Sequence, residues 1–311
     1  MLTSAQLRGV IPPLLTPILE DETLDEPAFR RLVEYMIDGG CHALFVQGSS
    51  GESIALAKAE RAKTLRLAKE VSAGRVPILA GVIGQCYHDA LANAEMAAEC
   101  DADAAVAVTP YYFTYSQAEL VEYFTRLADE IALPLIIYNI PQRTGNPLAV
   151  ETILKLSEHP RILGVKDTSE NFMAISRMIS LTRGRNDFAV LPGTETLMAP
   201  AVLMGGAGAV LGVANLAPHF CVRLYDAARA DDLDRVRVLQ DQMEDLFRIF
   251  RHYSRGEVSI GAGLGGLKLA VSLLGLLDER QCFPGHRPGD AAEMKEMVDG
   301  WIAQGIIEPP K

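Results

Sequence analysis

A lysine ends an apolar segment of the sequence and is followed at once by three polar residues. The segment reads ILGVKDTS over residues 162–169, and its single basic residue is Lys166. An ammonium group is costly to bury unless it is paired with a charge or gives up its proton. A neutral lysine amine can attack a ketone and form a Schiff base, an electron sink for the neighbouring carbon. A lysine that reaches solvent or pairs with Asp167 is the alternative, and the segment alone leaves both open.

Other apolar segments also end in residues that can do chemistry. Tyr138 can move protons to and from a carbinolamine, or it can anchor its ring in the protein. Ser49 and Ser50 lie in a turn between glycines, which can offer hydroxyl and backbone N–H groups to a carboxylate or can be an ordinary loop. Arg143 can clamp a carboxylate through two hydrogen bonds, or it can be a solvated loop residue. The segments are QGSSGES (47–53), TPYYF (109–113), YNIPQRTG (138–145) and PGTE (192–195).

Eight apolar segments rich in Val, Ile and Leu precede these polar residues. They do not alternate with polar residues, which is typical of parallel strands covered on both faces. Amphipathic helical patterns separate them, and one of these begins with Ser116 as N-cap and Glu119 three residues later as a capping box. The order predicts an α/β fold, a (β/α)8 TIM barrel, with an open doubly wound sheet as the competing architecture. The predicted strands span residues 9–17, 42–48, 76–82, 104–110, 133–141, 162–167, 188–193 and 207–215.

Only helical patterns follow residue 230. They cover residues 231–253, 257–276 and 290–304, so we expect a catalytic barrel over residues 1–230 and a C-terminal helical appendage over residues 231–311. GAGLGG at residues 261–266 matches the dinucleotide-binding pattern. It lacks the preceding strand and the surrounding βαβ unit that this pattern requires. We therefore expect a turn before a buried helix there.

Composition limits the partners and the compartment. The chain has 311 residues and a formal net charge of −11, without a basic block, which argues against nucleic acid as a partner. Its 5 Cys are an odd number without a CxxC spacing, which predicts reduced thiols in a cytoplasmic protein. The six histidines lack a metal-binding spacing, and no metal site is expected. The first ten residues predict no signal peptide, and no apolar run approaches the roughly 20 residues of a membrane span.

Taken together, the segments resemble the dihydrodipicolinate synthase / N-acetylneuraminate lyase superfamily of class I aldolases. The resemblance implies that Lys166 forms a Schiff base with pyruvate and that Tyr138 is the general acid and base. Ser49 would relay protons between Tyr138 and Tyr112, and Tyr112 would reach in from the neighbouring subunit of a homotetramer built as a dimer of dimers. The matching segments are GSSGES, TPYY, YNIPQRTG, GVKDTS, PGTE and GGAGAVLGVANLAP.

The resemblance also assigns the binding residues. Ser50 and the adjacent amide of Gly51 would hold the pyruvate carboxylate, while Gly193 and Val210 would line the pyruvate pocket. No metal or organic cofactor is implied, because the lysine supplies the electron sink. Arg143 resembles the synthase branch of the superfamily, in which a small aldehyde, aspartate semialdehyde, condenses with pyruvate to give 4-hydroxy-tetrahydrodipicolinate for lysine biosynthesis.

Several departures from the synthase pattern keep other readings open. Serines at 49 and 50 replace two threonines, Phe113 replaces Asn, Glu170 replaces Gly, and GTE replaces an acidic pair. A related 2-oxo acid aldolase or dehydratase, acting on 4-hydroxy-2-oxoglutarate or a sugar acid, is the first alternative, and a non-catalytic binding protein is the second. The positions of the family's lysine-feedback site also differ, which predicts weak or absent inhibition by L-lysine. These positions are Ile54, Lys58, Gln85 and Asp89.

Overall fold

Eight short strands, all parallel to their partners, form the centre of the protein. A computed structural model describes residues 2–252, 260–278 and 291–310. All eight strands predicted from the apolar segments are present, most of them shorter than the segments. They are β1 (Gly9–Ile11), β2 (Leu44–Val46), β3 (Ile78–Gly81), β4 (Ala104–Val108), β5 (Leu135–Asn139), β6 (Ile162–Asp167), β7 (Ala189–Pro192) and β8 (Gly208–Val210).

Helices connect the strands, as the amphipathic patterns predict. At the start of the helix Gln117–Glu130 the Ser116 hydroxyl accepts from the Glu119 N–H at 3.3 Å, and the Glu119 carboxylate accepts from the Ser116 N–H at 2.7 Å. This reciprocal pair confirms the predicted capping box. The helices are α1 (Glu26–Asp38), α2 (Lys58–Ser72), α3 (Tyr87–Glu99), α4 (Gln117–Glu130), α5 (Pro141–Thr144), α6 (Val150–Leu156), α7 (Phe172–Thr182), α8 (Met198–Leu203), α9 (Pro218–Arg229), α10 (Leu233–His252), α11 (Ile260–Leu273) and α12 (Ala291–Ala303).

The strands follow one another in space in their chain order. Strands β2 to β7 form one parallel sheet, and β1 pairs in parallel with β8. The Phe45 N–H donates to the Pro12 carbonyl at 2.9 Å, which connects the β1 side to β2. The Ala207 N–H donates to the Val190 carbonyl at 3.2 Å, which connects β7 to the β8 side. Parallel strands in this order, covered by helices, fit an α/β fold of the TIM-barrel type.

Alternate residues of the strands pack in two separate apolar clusters. In β2, for example, Leu44 and Val46 pack with the helices, whereas Phe45 belongs to a second cluster among the strands. We call this second set the inner cluster, and it brings together one face of each strand, as the pleat of a strand requires. Its strand residues are Ile11, Phe45, Leu79, Ala104, Val106, Val108, Ile136, Tyr138, Leu163, Ala189, Leu191 and Val210.

The three C-terminal helices pack on the rest of the protein. Val236, Met243 and Leu246 of α10 are buried in the same apolar cluster as α9 and the outer faces of the strands. The Trp301 indole of α12 donates to the Asp245 carboxylate of α10 at 2.7 Å. The described parts of these helices agree with the predicted ranges, while residues 253, 257–259 and 290 of those ranges lie outside the described chain.

The prediction for GAGLGG is wrong in one respect. Residues 261–266 do not form a turn, because they lie inside α11. A Cβ on Gly263 would meet the Phe250 ring at 3.7 Å, so this glycine lies close to α10. Leu264 and Leu267 of the same stretch are buried, and burial of these side chains offsets the low helix propensity of glycine.

Four cysteines are described, and all four are free. Cys41, Cys100 and Cys221 are buried, and Cys86 is exposed; Cys282 lies outside the described residues. Across residues 2–252, 260–278 and 291–310, no helix is both long and apolar enough to cross a membrane.

Candidate active site

Lys166 lies on the inner face of β6 and is buried against two aromatic rings. Its side chain is only 5% exposed, and its Nζ is 4.0 Å from the Tyr138 ring centroid and 5.1 Å from that of Phe45. In the part of the chain that the structure describes, no carboxylate lies within 4.0 Å of this nitrogen. The Lys166 amine is therefore packed against aromatic rings and is not engaged in an ion pair with a described carboxylate.

Asp167 does not pair with Lys166. Its side chain points away from the inner cluster. The Asp167 carboxylate accepts from the Asn139 amide at 2.8 Å and from the Ser169 N–H at 2.9 Å. Successive side chains of a strand point to opposite faces, so a lysine and the residue after it cannot share one face of β6. The alternative of a Lys166–Asp167 pair is wrong for this reason.

Tyr138 faces Lys166 from the neighbouring strand. The two residues are register partners between β5 and β6, and Tyr138 is 2% exposed. Its ring packs edge-on against Phe45, with ring centroids 6.4 Å apart. Because both aromatic neighbours of Lys166 are buried in the inner cluster, packing restricts the directions in which the amine can point.

Gly193 leaves the space that the Lys166 side chain occupies. A Cβ at Gly193 would lie 2.9 Å from Lys166 Cε and 2.0 Å from Thr168 Oγ1. The Gly193 N–H donates to the Asp167 carbonyl at 2.7 Å, so β7 meets β6 at this position. The second residue expected in the pyruvate pocket, Val210, lies on β8 and is buried in the inner cluster with Tyr138.

Glu195 is a buried carboxyl group on this side of the protein. Its Oε1 accepts from the backbone N–H groups of Gly212 at 2.8 Å and Val213 at 3.2 Å. Burial raises the pKa of the Glu195 carboxyl above its ordinary value, and hydrogen bonds from backbone amides and the charge of Lys166 act in the opposite direction. The carboxylate joins the end of β7 to the residues after β8.

The turn after β2 carries the three expected carboxylate-binding residues. Ser49 and Ser50 are half-buried and Gly51 is buried. A Cβ at Gly51 would lie 3.0 Å from the Leu14 carbonyl oxygen, so the turn packs closely on the chain after β1. The Thr16 hydroxyl donates to the Gly51 carbonyl at 2.7 Å and holds this contact.

A cavity of about 450 Å³ lies beside this turn, and Arg143 is at its edge. Ser49 and Tyr111 also line it, and burial raises the pKa of the Tyr111 phenol. Most of the other lining side chains are apolar. The apolar ones are Ile54, Ala55, Ile83, Val108, Ile140 and Leu264, and the polar ones are Glu52, Ser53 and Thr144.

Tyr112 is not brought to Lys166 within this chain. It is 84% exposed, and its φ of 84° lies in the left-handed region that favours glycine. Its ring packs edge-on against the exposed Phe113, with centroids 5.0 Å apart. Within the described chain the Tyr112 ring therefore contacts Phe113 and solvent rather than Lys166.

Two departures from the synthase pattern have a structural description. Glu170 is exposed, and its φ of 60° is one that glycine adopts without strain. Its carboxylate therefore faces solvent rather than the inner cluster. Phe113 is exposed beside Tyr112 and is not among the residues that line the cavity.

Sequence reasoning missed several residues that shape the site. Phe45 was one of many apolar strand residues, and nothing in its segment marks it as a neighbour of Lys166. Thr109 and Thr144 share a buried hydrogen bond of 2.8 Å, and the Asn146 amide donates to the Pro110 carbonyl at 2.9 Å. This network connects the loops after β4 and β5. The polar residues of the TP and RTGN segments are the sequence feature that could have indicated it.

The sequence matches a model of a known protein family over most of its length. The family model described as the dihydrodipicolinate synthetase family matches residues 6–298.

The chain belongs to this family.

Its relatives in the dihydrodipicolinate synthase family include enzymes and proteins without an assigned substrate. The 4-hydroxy-tetrahydrodipicolinate synthase of Methanoculleus marisnigri is 34% identical over 86% of this chain and 89% of its own length. An uncharacterized DapA-like lyase of Thermofilum pendens is 33% identical over 83% of this chain and 86% of its own.

Solved structures of the family have the same fold. Dihydrodipicolinate synthase from Bacteroides thetaiotaomicron superposes with a TM-score of 0.89 at 34% identity, over 96% of this chain and 100% of the other. YagE, a prophage protein of the dihydrodipicolinic acid synthase family from E. coli K12 solved with pyruvate, gives 0.87 at 28% identity, over 96% and 99%.

Members of the dihydrodipicolinate synthase family are pyruvate-dependent class I aldolase-type lyases, and this chain is an enzyme of that type. The resemblance read from the sequence is confirmed. The family assignment favours an enzyme over the non-catalytic binding protein considered as an alternative. The chemistry of the family needs no metal cofactor.

Proposed function

We propose that this enzyme condenses pyruvate with aspartate semialdehyde, as a 4-hydroxy-tetrahydrodipicolinate synthase, through a Schiff base on Lys166. The buried position of Lys166 against Tyr138 and Phe45, without a carboxylate partner in the described chain, is the observation that carries this proposal. A buried lysine that packing holds in place, and that no ion pair occupies, is suited to act as an amine nucleophile. The pyruvate bound in the YagE structure supports the first substrate.

The proposed reaction begins with attack of the Lys166 amine on the pyruvate ketone. The C–N bond forms, water leaves, and the resulting iminium accepts electrons when the methyl carbon loses a proton. The enamine then attacks the aldehyde carbon, the new C–C bond forms as the iminium is restored, and the aldehyde oxygen takes up a proton. The amino group of the acceptor then attacks the iminium carbon, which closes the ring, breaks the C–N bond to Lys166 and releases its amine. Tyr138, 4.0 Å from the amine measured at its ring centroid, is the group we assign to proton transfer.

We assign Ser50 and Gly51 to the pyruvate carboxylate and Arg143 to the carboxylate of the acceptor. Arg143 supports this role because its cavity adjoins Ser49 of the turn that would hold pyruvate. A guanidinium forms charge-assisted, bidentate hydrogen bonds with a carboxylate. Gly193 and Val210 would line the pyruvate pocket, and no cofactor beyond the covalent Schiff base is part of the proposal.

A related 2-oxo acid aldolase or dehydratase is the second candidate. The T. pendens relative, without an assigned substrate at 33% identity, supports keeping this class open. Arg143 at the edge of the cavity offers a guanidinium to a second carboxylate of the substrate. Within this class, 4-hydroxy-2-oxoglutarate, a short dicarboxylate, fits better.

Turnover of a panel of aldehydes with pyruvate distinguishes the two candidates. We expect the highest kcat/KM with aspartate semialdehyde. A higher kcat/KM for cleavage of 4-hydroxy-2-oxoglutarate, or for a sugar acid, would contradict the synthase assignment while leaving the Schiff-base chemistry intact.

We further propose that two subunits share each active site, with Tyr112 of one subunit completing the relay from Tyr138 through Ser49 of another, in a dimer of dimers. The exposure and positive φ of Tyr112 support this proposal. Sizing combined with activity tests it, because a fully active monomer would rule it out.

Regulation, domain division and location complete the proposal. The four positions of the family's lysine-feedback site are exposed, and their residues do not resemble those of lysine-sensitive enzymes; they are Ile54, Lys58, Gln85 and Asp89. We therefore expect weak or absent inhibition by L-lysine, and micromolar inhibition in a lysine titration would contradict this. We also propose a closed (β/α)8 barrel over residues 1–230 with a helical region over residues 231–311. We propose a cytoplasmic location, which the free, buried thiols of Cys41, Cys100 and Cys221 support.

A further inference from the structure

A buried ion pair joins the C-terminal helix α11 to the turn after β2. The Lys268 ammonium is 2.6 Å from Glu52 Oε1, and the two side chains are 0% and 5% exposed. Removing two charges from water is costly, so such a pair needs close geometry and is sensitive to loss of either partner. The two residues come from opposite ends of the chain.

Glu52 is the last residue of a tight turn that contains Ser49, Ser50 and Gly51. The Glu52 N–H donates to the Ser49 carbonyl at 3.1 Å, and the Gly51 N–H donates to the Gly48 carbonyl, also at 3.1 Å. Glu52 has a φ of 53°, in the region that side-chain-bearing residues rarely adopt. Such a conformation persists only where the surroundings hold it, and here the side chain is held by Lys268.

Helix α11 touches the same site a second time. Leu264, one turn before Lys268, lines the cavity that Ser49 and Arg143 also line. The other side of the turn is fixed by the Thr16 hydroxyl on the Gly51 carbonyl. The turn is therefore held on one side by the chain after β1 and on the other by a helix outside the strand–helix repeat.

We propose that Lys268 is a positioning residue for the pyruvate carboxylate site. Its ion pair with Glu52 fixes the backbone of residues 49–51, so that the hydroxyl and amide groups proposed to bind the carboxylate point to one place. This inference rests on the proposed function. It makes α11 part of the working active site, although Lys268 itself touches no substrate.

A double substitution separates a positioning role of Lys268 from a purely structural one, because it should restore stability without restoring pyruvate binding. Replacing Lys268 with methionine removes a charge partner of the buried Glu52 carboxylate, which lowers stability whatever the role of the pair. Replacing both residues with methionine removes both charges and restores an apolar contact, so stability should recover. The turn would still lack the directed contact that holds Glu52 in its φ, so pyruvate binding should not recover.

The test measures the pyruvate concentration that half-saturates borohydride trapping, with thermal unfolding in parallel. We expect Lys268→Met and the double variant Glu52→Met/Lys268→Met to need at least about tenfold more pyruvate, since loss of one charge-assisted hydrogen bond to a carboxylate lowers affinity by about tenfold or more. The unfolding temperature should fall in the single variant and return in the double. Lys295→Met is the matched control, because Lys295 of α12 forms an exposed pair with Asp299 at 2.6 Å.

Wild-type half-saturation in the double variant, or in a folded Lys268→Met, would overturn the proposal and leave the pair with a role in stability only. If the single variant does not fold, the double variant decides. Failure of both to fold would also overturn it, because the pair would then be a requirement for folding.

A wild-type protein that traps no pyruvate would instead contradict the proposed function. Amide hydrogen exchange over residues 48–53 then still tests the positioning role. We expect faster exchange there in the double variant than in Lys295→Met, and equal exchange would refute it.

Discussion

Replacing Gly193 with alanine should displace the reactive lysine while leaving its chemistry in place. The new Cβ would lie 2.0 Å from Thr168 Oγ1 and 2.9 Å from Lys166 Cε. Carbon atoms in contact are normally about 3.5–4.0 Å apart, so Lys166 Cε must move by roughly 0.6 Å or more. Thr168 must move further. Overpacking of this kind costs about 1–3 kcal/mol of stability.

The effect on function should exceed the effect on stability. A misplacement of about 1 Å at a reacting group can lower the rate ~100-fold, so we expect Gly193→Ala to trap pyruvate roughly 10- to 100-fold more slowly. The assay is the rate of borohydride-dependent mass increase at saturating pyruvate, compared with the unfolding temperature of each variant.

Two further variants separate the contacts. The double variant Gly193→Ala/Thr168→Ala removes the closer clash, because it removes Thr168 Oγ1. Loss of this buried oxygen breaks no hydrogen bond, since it has no partner in the described chain. Stability should then recover, while trapping stays slow because the contact with Lys166 Cε remains. Gly300→Ala is the control, since a Cβ there meets nothing within 4 Å and its φ is not positive. Wild-type trapping rates in Gly193→Ala would refute this account of the pocket.

Three other predictions concern groups around the site. Tyr138→Phe keeps the ring against Lys166 and removes the hydroxyl, so turnover should fall about 10²- to 10⁴-fold with little change in unfolding temperature; unchanged turnover would exclude Tyr138 as the proton-transfer group. Arg143→Ala should raise the KM of a carboxylate-bearing acceptor by about 10- to 100-fold, as expected for loss of a charge-assisted hydrogen bond of about 1.5–3 kcal/mol. The KM for pyruvate should stay unchanged, and Arg177→Ala, which breaks an exposed pair with Glu151, is the control. Equal KM values for the acceptor in the two variants would contradict the assignment. Burial raises the pKa of Glu195 above its ordinary value of 4.5, so the folded state favours the protonated acid. Its contribution to stability is full below pH 4.5 and is lost as the pH rises through the raised pKa. Glu195→Gln keeps the oxygen that accepts from Gly212 and should remove that loss, so its unfolding free energy should fall less with rising pH. Denaturant unfolding at several pH values checks this, and an unchanged slope would refute it.

The sequence predicts the strands well because their apolar character is local. Each of the eight segments contains its strand, and Lys166 and Tyr138 lie near the ends of β6 and β5. The pleat of β6 also decides a question that the segment left open. Adjacent side chains point to opposite faces, so Asp167 was never available to Lys166 once a strand had formed.

Contacts between distant segments could not be predicted in the same way. Nothing in the residues around Lys268 indicates that Glu52 is its partner, because the pair exists only after α11 packs on the turn. Residues 261–266 are predicted to form a turn because the dinucleotide pattern there lacks its strand, but tertiary packing overrides the low helix propensity of their glycines. Phe45 likewise acquires its place beside Lys166 only when β2 and β6 face one another.

Borohydride trapping with pyruvate, followed by intact-mass and peptide analysis, tests the role of Lys166 most directly. We expect one pyruvate-sized adduct per chain, located on Lys166 and absent from a folded Lys166→Met variant. No adduct on folded protein, or an adduct on a different lysine, would contradict the assignment of Lys166 as the Schiff-base residue.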